Sequence, residues 1–164
     1  LTHEGELYAT WHEKDIYGNG QARVARYDGV DADPRWPHVD GATAQGLNRA
    51  SDSDGWWVRA ASFGAYLVTA WAENDAGSYR IRASAYDPDA TTSTGSGDAA
   101  TDTGTRVAST GTWYPVDPEG GLNVDPASTA EYPHLKATDE RVYITWAERQ
   151  GGTFRVFVRA GRLE

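Results

Sequence analysis

The chain writes one strand three times. Leu7-Tyr8-Ala9-Thr10-Trp11-His12-Glu13 returns as Leu67-Val68-Thr69-Ala70-Trp71-Ala72-Glu73 and again as Val142-Tyr143-Ile144-Thr145-Trp146-Ala147-Glu148, closing on Trp-x-Glu each time. Self-similarity of this kind constrains the fold more than any single residue, because each unit is one supersecondary element that buries its apolar face only against a neighbour.

The match runs past that strand. Arg23-Val24-Ala25-Arg26-Tyr27-Asp28 returns as Arg82-Ala83-Ser84-Ala85-Tyr86-Asp87 and, more loosely, as Arg155-Val156-Phe157-Val158-Arg159-Ala160. Trp36-Pro37-His38-Val39-Asp40 matches Trp113-Tyr114-Pro115-Val116-Asp117, and Gly46-Leu47-Asn48 matches Gly121-Leu122-Asn123. Residues 46–73 align without a gap on residues 121–148, which sets Trp57 opposite Tyr132.

Each copy reads as four short strands. The first covers 56–62 and 132–138, with 1–3 as its counterpart at the start of the chain. The second is the alternating Trp-x-Glu strand, with one face buried. In the third, arginines alternate with small or apolar residues and are expected to point away from the core. The fourth is the Trp-x-x-Val-Asp segment. Helical spacing is not sustained anywhere, and Gly, Pro, Asn and Asp punctuate the chain often. The expectation is an all-β chain of β-propeller-like repeats, four-stranded antiparallel blades, about three of them. The first blade spans 1–45, the second 46–120 and the third 121–164, the last lacking its outer strand. Propellers close with about four to eight blades. Three would be completed by further chain, by homo-oligomerisation or by a neighbouring chain, through open sheet edges.

The run Leu-Asn-Val-Asp-Pro-Ala at 122–127, Tyr-Pro-His-Leu at 132–135 and Val-Tyr-Ile-Thr-Trp-Ala-Glu at 142–148 resembles the repeat of secreted bacterial β-propeller proteins, similar in style to sialidase-like and kelch-like propellers. The resemblance implies a propeller and an extracellular or cell-surface setting, with no fixed activity. The middle copy departs from it, with Arg49-Ala50-Ser51-Asp52 for Val124-Asp125-Pro126-Ala127 and Val58 for Pro133. Ser51-Asp52-Ser53-Asp54-Gly55-Trp56-Trp57 approaches a sialidase Asp-box but misplaces the aspartate.

Composition narrows the classes. A formal net charge of -9 argues against nucleic acid, whose phosphates need a concentrated basic face. No apolar run nears the ~20 residues of a helical membrane span. The absence of cysteine excludes a disulfide framework and a thiol nucleophile. The chain begins at Leu1 and holds no methionine, so a leader is expected to have been removed by processing, which fits secretion, or by an artificial boundary. Between Tyr86 and Trp113 the second copy carries an insertion, 89–112, built almost entirely of Ala, Thr, Ser, Gly and Asp. Such a composition buries too little apolar surface to order itself and is expected to be a mobile loop.

Candidate chemistry is sparse. Glu13, Glu73 and Glu148 recur in every copy, so they read as structural acceptors in the shared core with Trp11, Trp71 and Trp146, and no catalytic residue is assigned. His12 breaks the repeat but stands beside Glu13 on a strand, where neighbours face opposite sides. Asp52 and Asp54 are the best candidate calcium ligands, although Asp-x-Asp is also ordinary turn chemistry. No other cofactor is expected. Trp56, Tyr17, Trp113 and Tyr114 are candidate ligand-binding aromatics for a glycan, or else contacts between blades or chains. Three function classes follow: a non-catalytic binding or assembly module, a glycan-binding lectin, and a piece of a glycoside hydrolase propeller, which would need two symmetry-breaking carboxylates facing one pocket.

Overall fold

The computed structural model describes residues 1–40, 45–75, 77–90 and 111–163. The inserted segment expected to be mobile lies mostly outside them, since 91–110 are not described. The described residues form ten strands and no helix.

The strands fall into three antiparallel sheets, one per sequence copy. The first holds β1 (Thr2–His3), β2 (Glu6–Lys14) and β3 (Gly20–Arg26) in the order β1-β2-β3. The second holds β4 (Asp54–Phe63), β5 (Tyr66–Asp75), β6 (Ser78–Asp87) and β7 (Thr112–Pro115), again in chain order. The third holds β8 (Ala130–Ala137), β9 (Val142–Gln150) and β10 (Thr153–Gly161), with β9 central. The Gly151-Gly152 loop joins β9 to β10 with both residues at positive φ, 56° and 86°, the two-residue hairpin geometry that suits glycine at both positions.

The fourth strand of the first copy is present in reduced form. Residues 35–39 run along β3 through one bridge, Ala25 to His38. Arg26 N–H donates to Pro37 O, and Val39 N–H to Val24 O. In the second copy β7 does the same beside β6, and Val116 N–H donates to Ala83 O. Pro37 replaces a ladder donor, which confines the segment to an edge.

Two points of register differ from the sequence reading. Arg155 pairs with Glu148, as Gln21 pairs with Glu13 and Arg80 with Glu73. Phe157, not Arg155, therefore stands where Arg23 and Arg82 stand, a shift of two residues that preserves side-chain alternation and so left no trace in the pattern. Nor do those arginines point to solvent: Arg23 and Arg82 are buried, held by Glu13 and by Asp117 respectively.

β4 and β8 share a bulge. The register shifts between Trp56 and Arg59, and between Glu131 and His134. Trp57 and Tyr132 sit there at φ of 53° and 55°, a left-handed conformation unusual for bulky side chains. Their rings meet at 4.6 Å. Pro133 lies inside the second bulge, where no ladder donor is required.

There are two cores, one at each junction of consecutive sheets. Tyr8, Ala22 and Val24 of the first sheet meet Val58, Leu67, Trp71 and Tyr86 of the second, with Leu47 from the connection. Val68, Ala70, Ala72, Ile81 and Ala83 of the second meet Ala130, Val142, Ile144 and Trp146 of the third, with Leu122. Each sheet thus has a front face, carrying the Trp-x-Glu side chains, and a back face, which in the first two sheets receives the next sheet.

Candidate functional site

The residues that recur most faithfully build a clamp between sheets. Asn48 follows the first sheet and turns its amide onto β3: Ala22 N–H donates to Oδ1, and Nδ2 donates to Gly20 O and Ser53 O at 2.9 Å each. Asn123 repeats this on β6 with Ile81 N–H, Tyr79 O and Ser128 O. The next residues then bond the glutamate of the following sheet. Arg49 N–H and Ala50 N–H donate to Glu73 at 2.8 and 3.2 Å, while Val124 N–H and Asp125 N–H each donate to Glu148 at 2.8 Å. One short connection thereby ties the backbone edge of one sheet to the front of the next.

Glycine precedes the clamp for a steric reason. Gly46 lies at φ +57°, and a Cβ there would meet Ala22 O at 2.4 Å, so only glycine lets the connection close on β3.

The glutamates are saturated. Glu73 also accepts from Ser53 Oγ (2.7 Å) and Trp71 Nε1 (2.9 Å), and Glu148 from Trp146 Nε1 (3.0 Å). Both are buried, and a charge taken out of water must be fully bonded. A carboxylate closed off this way has little left for a substrate. Glu13 is different: it is exposed and, among the described residues, bonded by Trp11 Nε1 and Arg23 Nε, at 3.2 and 2.8 Å. Partial burial works against its charged form, but these two donors outweigh that and hold its carboxyl below the usual value.

Trp71 and Trp146 are core residues, as expected. Trp11 is a correction: it is only half-buried and lies 5.3 Å from the His38 ring. Its front face has no preceding sheet over it among the described residues.

The candidate aromatics do not converge. Tyr17 sits in the β2–β3 turn and is 80% exposed. Trp56 is wedged at the first junction, 4.6 Å from the His12 ring, with Nε1 buried and unbonded. Trp113 packs on Tyr86 and donates to Val39 O. Tyr114 alone faces an open groove of about 460 Å³, shared with Tyr66, Asp87 and Arg162. Of the candidate calcium ligands, Asp54 accepts from Gly20 N–H at 2.6 Å and Asp52 is exposed; no group of three or more metal-binding side chains occurs among the described residues.

A polar groove escaped the sequence reading. Arg49 crosses the Trp71 ring at 5.6 Å and donates to Asp117 at 2.6 Å, and Arg82 donates to the same carboxylate at 3.2 Å. With Arg80 and Glu119 they line about 430 Å³. Arg49 was visible as a departure from Val124, but its reach to Asp117, far along the chain, was not.

No family model, curated protein or solved structure matches the chain. No described helix is long and apolar enough to cross a membrane.

Proposed function

We propose that this chain is a non-catalytic β-propeller module for binding or assembly, extracellular or at the cell surface, whose ring is completed by oligomerisation or by further chain. One observation carries the reading. The back faces of the first two sheets are buried under the next sheet, whereas on the third sheet Val156 and Val158, which stand where Ile81 and Ala83 stand, are 81% and 60% exposed. A contiguous apolar face of this kind marks an interaction site. The saturated state of Glu73 and Glu148 weighs against the hydrolase reading, and the extracellular setting rests on the resemblance of the repeats to secreted propellers. Light scattering coupled to size exclusion tests it: a dimer or larger species supports completion by oligomerisation, and a folded monomer at about 100 μM counts against that route and leaves completion by further chain.

The Tyr114 groove favours a second reading, glycan binding, since an exposed ring beside Asp87 and Arg162 suits a sugar's apolar face and hydroxyls. Saturable binding on a glycan array, lost in Tyr114→Ala, would support it.

A further inference from the structure

We infer that the occupant of the open back face is a second copy of this chain, docked by the front face of its first sheet; this rests on the assembly reading above. The argument is continuity with the two junctions inside the chain. At each, the front of one sheet, with its Trp-x-Glu strand, covers the back of the sheet before it. Leu67 and Trp71 cover the first sheet, and Val142 and Trp146 cover the second. Strand pairing assigns the same positions on the first sheet to Leu7 and Trp11. Leu7 is 40% exposed and Trp11 half-buried. Among the described residues two faces are therefore uncovered, and they match, by position, the two halves of a junction made twice within the chain.

The chemistry of the faces agrees. Besides Val156 and Val158, the back face presents the exposed Tyr143 and Phe154, with the exposed cations Lys136 and Arg149 and the half-buried Glu131. The front face offers the exposed Glu13 carboxylate. Phe157 replaces the Arg23 and Arg82 position and stacks on Trp146 at 6.0 Å, so the third sheet differs from the others where a covalent fourth strand would present its aspartate. A front-to-back contact is heterologous and either closes into a ring or runs on as a filament. Two copies would bring six sheets together, within the range in which propellers close.

Complementation tests this directly. Val156→Glu disables the back face and Leu7→Arg the front face; both sites are exposed enough to accept charge, and circular dichroism verifies that each variant folds. Either variant alone is expected to lose self-association by at least about tenfold in Kd, because a charge would be buried unpaired. Mixed one to one, they are expected to recover a dimer, since one intact front meets one intact back. The absence of cysteine permits a second measurement that needs no disruption: Leu7→Cys mixed with Val158→Cys should be joined by a short bismaleimide across chains, in preference to either variant with itself. Oligomers that persist in both charge variants, or that cross-link Val158→Cys to itself, would overturn the front-to-back contact while leaving the assembly reading standing. A wild-type monomer would overturn the second copy as the occupant and leave completion by further chain standing.

Discussion

Glu13 and Glu73 are the same letter of the same repeat, yet one is exposed and bonded by two side chains while the other is buried and bonded by a connection, a serine and an indole. Glu148 sides with Glu73. The difference is not in the strands, whose pairing is equivalent, but in what precedes them. Glu73 and Glu148 have a sheet and an Asn-bearing connection in front. The described residues place neither before Glu13. A repeat residue is thus made into core by its neighbour, and the tryptophans follow the same rule.

That contrast can be broken in graded steps. The largest effect is expected from Trp71→Ala or Trp146→Ala, each costing about 3–5 kcal/mol for a large cavity, against about 1 kcal/mol for the half-buried Trp11→Ala, read by urea denaturation. Next comes Glu73→Ala, which strands several buried donors and should cost about 3 kcal/mol. Glu13→Ala should cost under about 1 kcal/mol; equal costs at the two positions would remove the distinction. Asn48→Ala and Asn123→Ala should each cost about 2 kcal/mol, because each opens one side of a clamp.

The smallest effect is one of pH. The folded carboxyl of Glu13 is lowered from 4.5, so its contribution to stability is fully present above that value and fades as pH falls through the lower folded one. Glu13→Gln should flatten that part of the acid limb slightly; an unchanged limb would show that Trp11 and Arg23 do not stabilise the charge.

Much of the strand architecture was legible, because period-two alternation and an ungapped internal match are local signals. Trp57 and Tyr132 were rightly set opposite each other, and the structure adds that both bulge at positive φ. The half-buried state of Trp11 was not legible, since the strand that carries it reads like its buried counterparts. The burial of Arg23 and Arg82 was missed because alternation names two faces without saying which is wet. The Arg49–Asp117 contact was missed because it joins residues far apart in sequence. The role of Asn48 and Asn123 lay in plain sight as Gly-Leu-Asn, but only the geometry shows the amide spanning a donor and two acceptors.

Hydrogen exchange resolved by residue tests the clamp most directly. The amides of Arg49, Ala50, Val124 and Asp125 lie in connections outside every strand, where exchange is ordinarily fast. The carboxylates of Glu73 and Glu148 should make them exchange as slowly as the amides of β5 and β9, and Glu73→Gln should release Arg49 and Ala50 while leaving Val124 and Asp125 protected. Fast exchange at all four in the wild-type chain would contradict the claim that these connections fasten one sheet to the next.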